Sequence, residues 1–317
     1  MTPALRRRAR LIAAVRSFFS ARGYTEVETP YAVANPGEDV HLAAFRTERV
    51  DTDGTRAPRW LHTSPEFAMK RLVAAGSGPV FQTARVWRNG EGSDTHAPEF
   101  TMLEWYRPGA AIDDLMDECL ALLRAVLPPV VTCRGVTTEL SRDERLTMAK
   151  AFARDVHADL LATADDARAL ADQAGVALRD GEGWEDLFFR LILGRIEPNI
   201  GRSHPTFLTH WPTSQAALAR RDFSDPRVAL RFELYVCGME LANAFVELTD
   251  PVEQRARFEI DRARRLALYP EQDWPLDEAF LADLAYLPPC GGVALGFDRL
   301  AMIAAGVDRI SDVLWLP

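Results

Sequence analysis

The sequence predicts an α+β protein whose large antiparallel sheet is flanked by helices. Residues 80–88 and 99–106 alternate between apolar and polar side chains on either side of a polar loop, which is typical of paired strands. Residues 229–247 predict two more strands around Gly238. The helical patterns lie in separate stretches instead of alternating with strands, an order that favours α+β over a parallel α/β fold. They cover residues 4–22, 66–75, 112–126, 141–195, 251–268 and 297–305.

The first element is an amphipathic helix. Leu11, Val15 and Phe18 fall on one of its faces, and Gly23 ends it. A free helix at the start of a chain should not expose this much apolar surface, so the pattern predicts a homodimer. A short strand follows.

The middle of the chain reads as an addition to this fold. Residues 141–195 look helical, with breaks at Asp and Gly residues. We therefore expect a single domain over residues 1–317 with a helical insertion at about 141–195. Residues 251–268 predict a charged helix, and the helix that begins at Phe297 should end at Gly306.

Composition and charge exclude several classes of protein. The 317 residues are 48% hydrophobic and 26% charged, which is typical of soluble globular proteins. The sequence has no apolar run long enough for a membrane span. Its net charge of −9 argues against broad, non-specific binding of nucleic acid. The four cysteines are too few for a disulfide scaffold and lack metal-ligand spacing, which indicates a cytoplasmic protein.

The run from Gly291 to Arg299 is the first chemical signal. It reads as a strand, a glycine turn and the first turn of a helix. A helix N-terminus has free N–H groups and partial positive charge, so Arg299 would complete a site for an anion. Many glycine turns precede helices without any such role, and the rest of the chain must supply the partners.

The predicted hairpin could form part of a nucleotide site. Strand periodicity places Phe100, Glu104 and Tyr106 on one face. A buried carboxylate is costly unless it meets a cation or hydrogen-bond donors, although a strand with a solvated polar face would show the same pattern. Arg88 ends the preceding strand, and its guanidinium can bind phosphate or carboxylate. His96 lies in the loop, within possible reach of phosphates.

A second acidic cluster lies in the last two predicted strands. Glu233 and Glu240 flank the turn between them and could share Mg²⁺, a hard ion that takes carboxylates and phosphates. Asn243 and Glu247 share a strand face. Strict alternation puts Glu240 on the face opposite Asn243, so the magnesium interpretation requires a bulge or kink.

These pieces, in this order, resemble the catalytic domain of a class II aminoacyl-tRNA synthetase of the lysyl type. Residues 23–36 resemble the first class motif, the dimer-forming helix and strand, while 86–104 and 292–299 resemble the second and third. Lysyl-tRNA synthetases carry an anticodon-binding barrel before the first motif, and here the preceding helix is too short for one. The sequence is more similar to the stand-alone paralogues, the elongation factor P–(R)-β-lysine ligases, along Ser64–Leu72, Glu99–Pro108, Glu197–Gly201 and Glu240–Asn243.

The resemblance implies an activity and the residues that carry it. That family activates β-lysine with ATP and transfers it to a lysine of elongation factor P. The implied ATP contacts are Arg88, Glu91, His96, Phe100 and Arg299, with Arg88 and Arg299 also catalytic. The implied contacts to the amino acid are Ser64, Glu66, Glu104, Tyr106, Asn243, Glu247 and Ala294. Glu233 and Glu240 are the implied Mg²⁺ ligands.

Individual roles follow from the same resemblance. Phe100 would stack under adenine with Arg299 on the other side, an arrangement suited to cation–π attraction. Glu66 would take the α- or β-amino group, and Tyr106 and Glu247 the side-chain ammonium. The substrate carboxylate would meet Asn243.

Two positions need separate interpretation. The second motif normally has glutamate two residues after its arginine; here that residue is Gly90, and Glu91 either compensates through the loop or nucleotide binding is weakened. Ala294 stands where lysyl-tRNA synthetases usually have glycine and the stand-alone ligases have alanine. Its methyl group would exclude an α-amino group while a β-amino group fits.

The sequence therefore predicts an ATP- and Mg²⁺-dependent ligase acting on elongation factor P with lysine or β-lysine. It predicts a cytoplasmic homodimer that uses neither tRNA nor a membrane. One alternative is a truncated synthetase-like ligase acting on tRNA or a small molecule, which the missing barrel makes less favourable for tRNA. The other is a non-catalytic, synthetase-like regulatory subunit, against which the retained arginines and acidic residues argue.

Overall fold

The chain forms two units in a computed structural model that describes residues 1–316. The first unit comprises Met1–Val126 and the segment from Val246 onward, and the second comprises Leu127–Phe245. The first segment contains α1 (Pro3–Ser20), β1 (Thr25–Glu26), β2 (Ala32–Val33), β3 (Arg46–Val50), β4 (Arg56–Leu61), α2 (Glu66–Ala74), β5 (Val80–Trp87), β6 (Glu99–Pro108) and α3 (Ile112–Val126).

The second unit combines short strands with broken helices. Its elements are β7 (Val130–Cys133), β8 (Val136–Glu139), β9 (Glu144–Thr147), α4 (Met148–Ala151), α5 (Ala167–Ala174), α6 (Trp184–Leu191), β10 (Thr206–Pro212), β11 (Val228–Val236) and β12 (Met239–Val246). The chain then returns to the first unit with α7 (Pro251–Leu268), α8 (Glu278–Leu284), β13 (Cys290–Gly296) and α9 (Phe297–Ala305).

Antiparallel pairing dominates both units. In the first, β5 pairs with β6 and β6 with β13 antiparallel, while β1 joins β5 in parallel. In the second, β12, β11 and β10 are antiparallel neighbours, and β9 joins β10 in parallel. The α+β class is confirmed, with the correction that the strand pairing is mixed.

The predicted helical stretch at 141–195 is wrong at its start. Glu144–Thr147 is strand β9, which pairs with Thr206–Thr209. Its partner is distant in the sequence, so no local pattern could indicate it. The helical segments that follow are short and include two π-helical turns, at Phe152–Val156 and Ile192–Ile196. Whether this stretch is an insertion stays a prediction.

The first-unit core forms between α1 and the sheet. Phe19 stacks on Phe81 at 4.9 Å between ring centroids and packs against Trp105 at 5.1 Å. Helix α1 also contacts α3 and α9. No helix in residues 1–316 is both long and apolar enough to cross a membrane.

The apolar face of α1 is not an exposed surface, so the reason given for a homodimer is wrong. Leu11, Val15 and Phe18 are each at most 5% exposed within the chain itself. The helix covers this face by packing on its own unit, so these residues offer no free apolar surface. The homodimer itself stays a prediction.

Asp298 joins three elements of the first unit. This buried carboxylate, in the first turn of α9, forms an ion pair with Arg8 of α1 and accepts a 2.7 Å hydrogen bond from the backbone N–H of Thr101 in β6. Arg8 also donates to the Thr101 hydroxyl at 2.9 Å. The network therefore fixes the start of α9 relative to β6.

We predict that Arg8→Met lowers the free energy of unfolding by about 3–5 kcal/mol, because it leaves the Asp298 carboxylate buried without its cation. Urea denaturation measures the change. Arg16→Met on the same helix is the matched control: Arg16 pairs with Glu26 at 2.8 Å, but both side chains are well exposed. The control should cost less than about 1 kcal/mol. Equal losses in the two variants would contradict the role given to the buried pair.

Candidate active site

One face of the first unit's sheet carries four of the predicted site residues, Phe100, Glu104, Tyr106 and Ala294. In the β5–β6–β13 register, Gln82 and Ala294 lie on either side of Glu104, and Gly292 lies beside Tyr106. Directly paired residues project to the same face of a sheet. The predicted alternation of β6 is therefore confirmed, although the residues between these positions are buried too.

Glu104 is fully buried and receives two hydrogen bonds. The Ser64 hydroxyl donates to its Oε1 at 2.6 Å and the Tyr106 hydroxyl to its Oε2 at 3.1 Å. Burial, with a contribution from the charge of Glu66, raises the pKa of Glu104 to about 8. Both donors and the positive charge of Arg88 oppose that rise. Without a ligand, this carboxyl group therefore holds a proton at neutral pH.

Lys70 is a buried site residue that sequence reasoning missed. Its ammonium nitrogen lies 2.5 Å from Oε1 of Glu66 and 2.5 Å from Oε2 of Glu247. Burial lowers the pKa of Lys70, but the two carboxylates outweigh burial, and its pKa is raised overall. The sequence did contain a signal: Lys70 is one of only two lysines, the other being Lys150, and it stands one helical turn after Glu66.

Glu247 points toward the glycine strand. Its backbone N–H donates to the carbonyl of Cys290 at 2.9 Å. A Cβ atom built on Gly292 would lie 2.6 Å from Oε1 of Glu247 and overlap the ring of Tyr106. Only glycine leaves room for both side chains. Within residues 1–316, Oε1 of Glu247 has no hydrogen-bond donor, so this buried oxygen can accept one from a ligand.

Arg88 and Phe100, two of the predicted ATP contacts, lie next to each other. The Arg88 guanidinium lies over the Phe100 ring, 5.2 Å from its centroid, and 3.8 Å from the Glu91 carboxylate. The buried Nε of Arg88 has no hydrogen-bond partner among residues 1–316. Gly90 has a φ of +81°, in the left-handed region that favours glycine. The loop that brings Glu91 toward Arg88 is thus built around the residue that departs from the family motif.

Arg299 and His96 are in direct contact. Nη2 of Arg299 lies 2.6 Å from Nε2 of His96. A guanidinium can only donate, so His96 accepts through Nε2 and carries its proton on Nδ1. That proton faces the Ser93 hydroxyl at 2.8 Å. The structure therefore brings these two predicted ATP residues together, next to the N-terminus of α9.

The acidic cluster of the second unit contains the bulge that the sequence required. Glu233 pairs with Asn243, but the register shifts so that Glu240 lies opposite Tyr235. Glu240 and Asn243 therefore share a face. Arg231 contacts both sides of the cluster, at 2.6 Å from the Glu233 carboxylate and 3.1 Å from the Asn243 amide oxygen.

Burial raises the pKa of Glu233 to about 7, and the charge of Glu240 adds to the rise while Arg231 opposes it. A bound cation would therefore stabilise the charged form of this carboxylate pair. Its hard oxygen donors fit Mg²⁺, which usually takes one or two carboxylates and completes its shell with phosphates and water. Residues 1–316 contain no cluster of three or more His, Cys, Asp or Glu side chains arranged to hold a metal.

Comparison with known proteins agrees with this geometry. The sequence model of the family described as tRNA synthetases class II (D, K and N) matches residues 1–317. The chain belongs to this family. It is 45% identical over 319 residues to a protein of Proteus mirabilis (strain HI4320), covering 99% of this chain and 94% of that protein.

Other bacterial relatives are similarly close. A Pectobacterium atrosepticum protein is 46% identical over 319 residues, and one from Sodalis glossinidius is 45% identical over 317 residues. In both cases 98% of this chain and 93% of the relative are covered. All three relatives are named elongation factor P–(R)-β-lysine ligase. The predicted family, fold class and ATP-dependent ligase activity are confirmed.

An ammonium group of a ligand bound beside Glu104 would lower the pKa of this carboxyl group and displace its proton. We predict that binding of lysine, used as a probe, releases at least one proton at pH 7 and fewer above pH 8, because the pKa of Glu104 is about 8 before binding. Affinity should therefore rise as pH rises from 6 to 8. Calorimetry in buffers of different ionisation enthalpy counts the protons. Glu104→Gln should release about one proton fewer, and an unchanged count would show that Glu104 is already ionised.

Proposed function

We propose that this protein activates (R)-β-lysine or lysine with ATP as an aminoacyl-adenylate and transfers the acyl group to a lysine of elongation factor P. The observation that carries this proposal is a pocket-forming group of three acidic side chains, Glu66, Glu104 and Glu247, with the buried ammonium group of Lys70 between two of them. The names of the relatives support the same substrate and acceptor. Such a pocket suits a small molecule with two positive charges.

The pocket residues would each meet one part of the amino acid. Glu66, partly exposed at the start of α2, is suited to the α- or β-amino group. Tyr106 and the unpartnered oxygen of Glu247 are suited to the side-chain ammonium. Glu104 lines the same face, and Ser64 holds it in place. The resemblance alone implies that Asn243 would bind the substrate carboxylate.

Arg88 and Arg299 are the catalytic residues of this proposal. In the first step the substrate carboxylate attacks the α-phosphorus of ATP, forming the acyl–phosphate bond and releasing pyrophosphate. Arg88 would neutralise charge on the α-phosphate and the carboxylate, and Arg299 with His96 would bind the nucleotide. Phe100 would stack under adenine, and Glu91 would steady Arg88.

Glu233 and Glu240 would hold Mg²⁺, and the bound ion would neutralise phosphate charge. In the second step the acceptor lysine amine attacks the acyl carbon, an amide bond forms, and AMP leaves with the electron pair of the broken bond. No covalent enzyme intermediate is needed.

Oligomeric state, location and the two alternative functions complete the proposal. We propose a cytoplasmic homodimer, as the resemblance of the first motif implies, with a dimer surface other than the buried face of α1. A regulatory subunit without catalysis is less well supported, because both arginines and both acidic residues are present. A ligase for tRNA is less well supported, because the net charge of −9 does not favour a polyanion.

The acceptor can be tested directly. We expect labelled (R)-β-lysine, with ATP and Mg²⁺, to appear on elongation factor P and not on tRNA. The control is an elongation factor P whose acceptor lysine is replaced by arginine, which should stay unlabelled because the attacking amine is gone. Label on tRNA but not on elongation factor P would support the alternative of a truncated synthetase.

Ala294 provides a test of substrate choice. It lies beside Glu104 in the register and packs near Phe100 and Met102. We predict that the wild-type protein prefers (R)-β-lysine to lysine and that Ala294→Gly narrows the preference, mainly by improving activity with lysine. One methyl group in a pocket is worth about 1–3 kcal/mol of discrimination, or roughly 10–200-fold. ATP–pyrophosphate exchange with each amino acid measures it, and an unchanged ratio would place the selectivity elsewhere.

A further inference from the structure

Lys70 is a buried cation that the proposed reaction does not use. It is 1% exposed, and its ammonium group lies between two carboxylates, one on its own helix and one that follows β12. A buried lysine is costly unless it is paired. The same two carboxylates, Glu66 and Glu247, are those proposed to bind the amino groups of the substrate. Lys70 therefore occupies the centre of the recognition site before any substrate arrives.

Lys70 counters the repulsion between the carboxylates of Glu66 and Glu247. Glu66 and Glu247 contact the same nitrogen atom, so their oxygens are close enough to repel each other strongly without it. Burial raises the pKa of Glu247 to about 8; the charge of Lys70 opposes that rise, and the charge of Glu66 adds to it. Loss of Lys70 would therefore favour the protonated form of Glu247 further. A protonated carboxyl group no longer neutralises an ammonium ion. The other titratable groups that face this site are Glu104, Tyr106, Arg88 and Cys290.

We propose that Lys70 is a positioning residue that separates the carboxylates of Glu66 and Glu247 and favours the charged form of Glu247, so that each can bind one ammonium group of a diamino acid. The inference rests on the proposed function. Lys70 contacts Oε2 of Glu247 and leaves Oε1, beside Gly292 and Tyr106, for the substrate. On the other side it contacts Oε1 of Glu66, whose side chain is partly exposed. With Lys70 in place, the pocket thus presents two separate carboxylate acceptors. Without it, the protonated form of Glu247 would be favoured.

The test is ATP–pyrophosphate exchange by Lys70→Met, which removes the charge and keeps most of the side-chain volume. We expect KM for (R)-β-lysine to rise about 30-fold or more at pH 7, since one partner of a buried charge pair is lost, while KM for ATP stays unchanged. KM for the amino acid should then fall more steeply with rising pH than in the wild type, because binding must expel the extra proton. Equal rises in both KM values, or no pH effect, would overturn the inference.

Arg71→Met is the matched control. Arg71 is the next residue of α2, and it pairs with Asp283 at 2.6 Å on a solvent-exposed face. Its loss should change neither KM nor the pH profile. A change in this control equal to that of Lys70→Met would mean that any broken ion pair of α2 disturbs the site, and would overturn the specific role of Lys70.

The double variant Lys70→Met/Glu247→Gln covers the case in which Lys70→Met fails to fold. It removes Lys70 together with its fully buried partner, so only the partly exposed carboxylate of Glu66 loses its cation. If Lys70 acts through Glu247, the double variant should have the same KM for the amino acid as Glu247→Gln alone. A further large rise would contradict the inference. Wild-type protein that exchanges with neither lysine nor (R)-β-lysine would defeat the proposed function, whereas wild-type exchange with unaltered Lys70 variants would defeat only this inference.

Discussion

The buried ion pair between Arg8 and Asp298 is the interaction on which the arrangement of the predicted nucleotide contacts, Phe100 and Arg299, depends. Asp298 precedes Arg299 at the start of α9, and its other oxygen holds the backbone of Thr101, which follows Phe100. A carboxylate with two such partners fixes both the angle at which α9 begins and the strand beneath it. The first helix of the chain therefore contributes to the site by packing and charge, with no residue of its own in the pocket.

The proposed amino-acid pocket depends instead on the balance between carboxylates and cations. It contains three carboxylates against one lysine, and burial keeps Glu104 protonated until a cation arrives. The charges of the pocket residues alone are thus not balanced, and the proposed substrate, with two ammonium groups, would balance them. A neutral amino acid of the same size would leave buried carboxylates unpaired, which is a stronger source of discrimination than a difference in apolar contact.

Local patterns in the sequence predicted much of this site. The two-residue period identified the face with Phe100, Glu104 and Tyr106, and the mismatch at Glu240 required the bulge that the structure contains. The end of α9 at Gly306 could also be predicted from the sequence, because glycine readily takes the left-handed conformation that caps a helix. In each case the information lies within a few residues of the element concerned.

Features that depend on partners distant in the sequence could not be predicted from local patterns. The sheet order β2–β4–β3 was missed because β3 is exposed throughout and has no apolar alternation. The apolar face of α1 suggested an interface, since its cover by α3 and α9 comes from far along the chain. Lys70 lies within the family-like segment Ser64–Leu72, but the sequence indicated no role for it, because its second carboxylate, Glu247, is remote in sequence.

Glycine and charge act together at the base of the pocket. Gly292 lets Tyr106 and Glu247 approach the strand more closely than any side chain would permit. That approach buries the Glu247 carboxylate, and burial in turn makes its pairing with Lys70 necessary. The missing Cβ atom of Gly292 thus affects the electrostatics of the site. Closer packing removes water, and the loss of water strengthens the interactions between charges. An internal lysine and the ammonium groups of a ligand can then satisfy the buried carboxylates.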